Sequence, residues 1–298
     1  MSFQHRCENA FLGLALGDAY GQPLEFLTGS AVHALTVPID ARFRWTDDTH
    51  MALYVAEATL ENPQGDDAWG DAIGRAFVRW LDDPLMPSTA PGNTCLAGVR
   101  AWREHRDWRR SGVRRSDGCG AVMRIAPLPM RLEGAALDRA AHVQAVLTHG
   151  HPNASASAIA ACRILRRVLE TGALRPEWVS QELDDGTDDL RAGLQAALRL
   201  AKTPFDRLPL DQVPTYDGGW RSVSALALAL ACALRWSDDP VTAIDRAARH
   251  DGDSDSVACL AGMFVGATGA QLPEDWLEVL PERQTMMQLS QRLSAGSR

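Results

Sequence analysis

Apolar residues recur at three- and four-residue steps over Ala10–Leu16, Met51–Leu60, Ala68–Leu81 and Ala154–Leu169. The same period continues over Leu190–Leu200, Ser224–Leu234, Val241–Ala248 and Val257–Ala267. Alanine, leucine and arginine fill these segments, as helix propensity favours. Strand-like alternation is nearly absent, and Leu35–Ile39 is the best short strand candidate. Pro and Gly punctuate the chain at GQPLEF, DDPLMPSTAPGN, HGHPN, DRLPLDQVPTYDGGW and GAQLPED. None of these breaks is long enough to be a flexible linker, and no internal repeat is visible. The pattern predicts one compact all-α domain over residues 1–298.

Composition narrows the partners. The 298 residues are 46% hydrophobic and 23% charged, an ordinary soluble balance. A net charge of −8 argues against a stable nucleic-acid partner or an anionic membrane surface. The arginines between Arg100 and Arg115 read as a solvated face, with an anionic ligand as the alternative. Six scattered cysteines show no zinc or redox spacing and read as reduced thiols. The N-terminus lacks signal-peptide regions, and Asp18 interrupts its apolar segment. The longest apolar run, Ala225–Leu234, is too short to span a bilayer. A cytoplasmic monomer is expected.

Two stretches carry candidate chemistry. WTDDTHMAL, from Trp45 to Leu53, places two aspartates between two threonines at a helix start. Capping and the helix dipole explain one such oxygen, whereas this stretch offers four. Near the other end, HDGDSDSVACLAGMFVGATGA repeats the arrangement with Asp253, Asp255 and Ser256. Gly262 and Gly266, four apart, clear one helical face for close approach of another helix. A calcium loop fails because Val257 and Ala258 stand where an oxygen ligand and glycine are required. A phosphatase-type D-x-D-x-V motif fits Asp253–Val257 literally but lacks the apolar strand before it. If the two helix starts meet, Thr46, Asp47, Asp48, Asp253, Asp255 and Ser256 offer hard oxygens to magnesium or manganese. Crowded carboxylates repel by about 4 kcal/mol per pair at 4 Å and an effective dielectric of 20, and two divalent cations would cancel that charge.

These stretches, with GLALGDAYGQPLEF (Gly13–Phe26), PGNTCLAG (Pro91–Gly98), SDGCGAVMRIAPLP (Ser116–Pro129) and THGHP (Thr148–Pro152), resemble the ADP-ribosylglycohydrolase family nearly end to end. The resemblance implies an orthogonal multi-helix fold with two Mg2+ or Mn2+ ions on the six oxygen-bearing residues just named. It further implies hydrolysis of the bond between ADP-ribose and an acceptor, on a protein, a nucleic acid or a small conjugate. Glu25, Asp48 and Asp253 are then the candidate catalytic residues, with Glu25 managing the proton. Asn93, Ser116, Gly118, Gly120, Met123, His149 and Tyr216 are the candidate substrate contacts. SDGCGAVMR reads as a Gly-rich turn suited to diphosphate through backbone N–H groups, an ordinary loop being the alternative. Family members often carry Asn where Cys119 stands. The arginine-directed archetype carries an acid where this chain has Ala90, so a linkage other than arginine is expected. A nucleotide-binding relative without efficient turnover, and a di-metal phosphate-ester hydrolase, remain open alternatives.

Overall fold

Every periodic segment lies in a helix of the computed structural model, which describes residues 1–203, 205, 207–213 and 216–296. The first half runs α1 (Phe3–Gly21), α2 (Ser30–Ala34), α3 (Asp47–Leu60), α4 (Asp66–Leu81), α5 (Asn93–His105) and α6 (Trp108–Ser111). Short α7 (Pro127–Arg131) leads to α8 (Gly134–Val146), α9 (Pro152–Thr171) and α10 (Pro176–Ser180). The chain closes with α11 (Asp188–Leu200), α12 (Ser222–Arg235), α13 (Pro240–Ala248), α14 (Ser254–Ala267), α15 (Glu274–Val279) and α16 (Arg283–Ala295). Among the described residues there is no strand, only isolated bridges between Val113 and His149 and between Gly118 and Arg221. Leu35–Ile39 forms no strand; Pro38 removes one ladder donor from it.

The helices α1 and α14 form the centre. All fourteen residues of α14 are buried, as are Ala10 to Gly21 of α1. Helices that are apolar all round belong inside. The two run antiparallel in close contact. A Cβ on Gly13 would lie 2.2 Å from the Gly262 carbonyl oxygen, and one on Gly17 would lie 2.0 Å from that of Ala258. Gly266 meets Asn9 the same way, at 2.1 Å. The close approach expected at Gly262 and Gly266 is therefore made by α1. Its consequence is positional: the C-terminal end of α1 is carried to the N-terminus of α14, where a Cβ on Gly21 would be 2.4 Å from the Asp255 Cα. α12 and α13 pack on α14 from other sides, and α16 packs on α1.

Candidate metal centre and active site

Two helix N-termini and the end of a third helix meet in one cavity. α3 begins with Thr46 as its N-cap, followed by Asp47 and Asp48, and α14 begins directly after Asp253. Asp47, Asp48, Asp253, Asp255 and Ser256 line a cavity of about 220 Å³ together with Glu25. One carboxylate oxygen each from Glu25, Asp253 and Asp255 lies within 4.8 Å of the others. Both acidic stretches therefore border the same cavity, and the charge of Asp255 acts on Asp47 and Asp48 alike.

These acids are buried with little cationic compensation. Burial, then neighbouring carboxylates, raises Asp48, and the Asp253 carboxyl is pushed up for the same reasons. Asp47 is pushed up to about 8 by burial, although the Gly92 N–H, donated to its Oδ2 at 3.1 Å, pulls the other way. Half-buried Glu25 rises to about 8 through burial and the charges of Asp255, Asp47 and Asp18. Asp48 Oδ2 is buried with no hydrogen-bond partner. A buried, unpartnered carboxylate oxygen among other carboxylates is expensive unless a cation meets it. The donor set is oxygen-rich and hard, which fits magnesium or manganese.

The sequence reading passed over one carboxylate. Asp18, fully buried on α1, accepts from the Thr46 N–H and hydroxyl, each at 2.9 Å, through Oδ1. Its Oδ2 accepts from the Thr49 N–H at 2.9 Å and the Thr49 hydroxyl at 2.6 Å. Burial and Asp255 push it up to about 7. Asp18 thus fixes the first turn of α3 and orients the Thr46 hydroxyl, as an outer-shell carboxylate does for a ligand. The available signal is an acid among the apolar residues of GLALGDAYG, where Asp18 interrupts the apolar segment.

The substrate-contact candidates separate into two groups. Asn93, Gly118, Gly120, Met123 and His149 line the cavity, joined by Ala90, Gly92, Cys119 and Trp220. Ser116 stands behind Gly118, its hydroxyl 3.1 Å from that of Thr94. Tyr216 is turned to the His250–Asp251 backbone, donating to the Asp251 carbonyl at 2.6 Å, and is not among the cavity-lining residues. The exposed aromatic surface beside the cavity is instead Trp220 stacked on Phe26, with ring centroids 5.2 Å apart. Phe26 follows Glu25 with a left-handed φ of 64°.

The Cys119 N–H is donated to the Trp220 carbonyl at 2.9 Å, and the Gly118 N–H points to the Ser116 hydroxyl at 3.5 Å. Those two amides are directed within the protein. The glycines make room for His149: a Cβ on Gly120 would lie 2.8 Å from its ring and 2.7 Å from Cys95 Sγ. His149 is buried, with its pKa lowered to about 3 by burial and by Arg124, so it enters the cavity wall as a neutral imidazole. Arg124, itself fully buried, donates to the Thr148 hydroxyl at 2.7 Å, which contacts His149 Nδ1 at 2.8 Å.

A larger cavity, about 560 Å³, lies along α8 and α9. Its acids Glu182 and Asp185 are both paired with Arg163, at 3.1 and 2.6 Å, so no carboxylate there awaits a cation. Chemistry, not volume, selects the smaller cavity.

The fold and this cavity define an all-helical protein whose carboxylates converge from two helix starts. The chain belongs to the ADP-ribosylglycohydrolase family, whose model matches residues 1–298. It is 29% identical to the ADP-ribosylarginine hydrolase Tri1 of Pseudomonas putida, over 97% of this chain and 77% of that protein. It is 26% identical to the ADP-ribosyl-[dinitrogen reductase] glycohydrolase of Rhodospirillum rubrum, over 94% of this chain and 91% of the other. A solved ADP-ribosylglycohydrolase-related protein complex superposes with a TM-score of 0.79 at 25% identity, covering 100% of this chain and 99% of that one.

Proposed function

We propose that this chain is a magnesium- or manganese-dependent hydrolase that cleaves the glycosidic bond between ADP-ribose and an acceptor. The observation carrying the reading is the convergence of Glu25, Asp47, Asp48, Asp253 and Asp255 on one cavity, with Asp48 Oδ2 buried and unpartnered. Thr46, Asp47, Asp48, Asp253, Asp255 and Ser256 would hold two ions. Bound there, divalent ions supply binding for the ribose hydroxyls and acidify a water. The remaining work falls to the protein. Asp48 and Asp253, at opposite helix starts, orient the attacking water, and half-buried Glu25 carries the proton between water and leaving group. Opening of an oxocarbenium-like centre needs negative charge beside the sugar, and these carboxylates provide it. Neutral His149 hydrogen-bonds the diphosphate without adding charge, and Asn93, Ser116, Gly118, Gly120 and Met123 shape that wall. The Trp220–Phe26 surface suits the flat face of a purine, with Tyr216 bracing the loop behind it.

The acceptor is proposed to be other than arginine, or a small conjugate. Ala90 lines the rim next to Gly92 and Asn93 and brings no charge for a guanidinium. We take the chain to work as a single cytoplasmic domain, monomeric, without a membrane or a stable nucleic-acid partner. The six free cysteines and the net charge of −8 support that setting, and no helix among the described residues is long and apolar enough to cross a membrane. The test is a panel of defined ADP-ribosyl linkages, each assayed for free ADP-ribose with metal and with chelator. Metal-dependent release of ADP-ribose is expected. Inorganic phosphate instead, or tight binding without release, would overturn the proposal.

A further inference from the structure

The cavity holds one donor unlike the rest. Cys119 Sγ lies 2.7 Å from Asp253 Oδ2, to which it donates, and 3.4 Å from the Ser256 hydroxyl, which donates to it. Its backbone leaves it little freedom to withdraw. The Cys119 N–H is tied to the Trp220 carbonyl, and the bridge from Gly118 to Arg221 anchors the preceding residue. Cys95 also lines the cavity, but Arg124 contacts its sulfur at 3.6 Å. Cys259 is directed to the Met123 carbonyl at 3.6 Å and lies beside Asp48 of α3. Cys119 is therefore the sulfur in contact with the α14 acids. Independently, the unpartnered Oδ2 of Asp48, a residue only 2% exposed, lines the same cavity. Thiol and orphan carboxylate line one cavity, and the thiol touches Asp253, one of the three acids whose carboxylate oxygens lie closest together.

We propose that Cys119 is a metal ligand, adding a thiolate to the oxygen donors of Asp253 and Ser256 and giving this centre an affinity for thiophilic divalent cations. The inference rests on the metal reading above. On binding, the S–H bond breaks, its proton passes to the buffer and the sulfur electron pair forms the sulfur–metal bond; nothing is oxidised. A soft donor raises affinity for cadmium or zinc far more than for magnesium or manganese. An all-oxygen centre would show a much smaller bias.

Cadmium and manganese themselves are the probes, added to the chelator-treated full chain. Manganese binding is read by electron paramagnetic resonance, and cadmium binding by its ultraviolet sulfur-to-metal charge-transfer band. The wild type should develop the band on cadmium addition. C119S and C119N should lose it while still binding manganese, and their preference for cadmium over manganese should fall about 10-fold or more, a change at least as large as an outer-shell substitution produces. A band that survives in both variants, an unchanged metal preference, or cadmium bound without a band would overturn the proposal. If neither variant folds, the cadmium NMR resonance of the wild type decides, because sulfur ligation moves it far from the all-oxygen range. Failure of the wild type to bind manganese at all would instead remove the metal reading on which this inference stands.

Discussion

Gly17→Ala is the smallest change that tests whether the α1–α14 seam positions the site. The new methyl would lie 2.0 Å from the Ala258 carbonyl oxygen, 2.4 Å from its carbon and 2.7 Å from the Cys259 nitrogen. All three are backbone atoms of α14, so no side chain can rotate away. Restoring a contact of about 3.4 Å requires the helices to part by about 1.4 Å locally, in an interior packed as densely as a crystal. Overpacking of this kind costs roughly 1–3 kcal/mol, while alanine in place of a helical glycine returns about 1 kcal/mol. The expected net loss is therefore modest, roughly 0–2 kcal/mol, or at most a few degrees in Tm for a chain this long. Function should suffer more than stability. Asp18 is the next residue, and the opposing α14 begins with Asp253, Asp255 and Ser256. A misplacement of about 1 Å in such a constellation costs about 100-fold. Manganese affinity by electron paramagnetic resonance and ADP-ribose release should both fall by that order while the far-ultraviolet circular dichroism stays helical. Gly17→Ala with unchanged Tm, unchanged metal affinity and full turnover would refute the argument that this seam sets the carboxylate geometry.

Three further outcomes are expected. Asp48→Asn removes a buried carboxylate, so the metal-free protein should melt at the same temperature as wild type or higher, whereas the stabilisation by saturating manganese, about 2.7 kcal/mol at 100 times Kd, should largely disappear; a full metal-induced shift in the variant would count against Asp48 as a ligand. His149 is held neutral with a folded pKa of about 3, below its unfolded value of about 6.5, so its neutral form stabilises the fold fully above that higher value. That contribution is lost as pH falls from about 6.5 towards 3, by up to about 1.4 kcal/mol per pH unit, and denaturant titrations of H149N should show a shallower decline over that window; identical slopes would contradict it. Ala90→Asp should raise release from an arginine-linked relative to a serine-linked substrate by about 10-fold, equivalent to about 1.4 kcal/mol, and an unchanged ratio would show that this rim position does not read the acceptor.

Much of the framework was legible because it rests on local signals. α3, α4, α9, α11, α12, α13 and α14 contain the apolar periods read from the chain, and the paired acid–hydroxyl stretches fall at the starts of α3 and α14. α5, α8 and α16 lie outside the periods read from the chain, as do the short helices. In α5 only Cys95, Gly98, Val99 and Trp102 are buried, too few positions to stand out, and in α8 alanine occupies both exposed (Ala135, Ala136) and buried (Ala140, Ala141, Ala145) positions, which blurs its apolar face. The packing role of the Gly-rich turn is hidden for a different reason. Gly118 and Gly120 look as if they bare the backbone to a ligand, but the demand for small residues comes from His149 and Cys95, which reach them only in the folded chain. Trp220 and Phe26 form a surface from positions almost two hundred residues apart, and no local pattern announces such a pairing.

Why the acids and the glycines belong to one device follows from comparing energies. Neighbouring carboxylates repel by about 4 kcal/mol per close pair at an effective dielectric of 20, and a domain's entire net stability is about 5–15 kcal/mol. Glu25, Asp18, Asp47, Asp48, Asp253 and Asp255 could not all remain ionised together without a cation, and their raised pKa values express that conflict. A loose contact between α1 and α14 would relax it by letting the helices drift apart. The Gly13–Gly262 and Gly17–Ala258 contacts oppose that drift, because backbone packed on backbone leaves no side chain to yield. The seam therefore holds the acids where a bound cation, rather than a shift in structure, would resolve their repulsion, and the strain of the site would become binding energy for that cation.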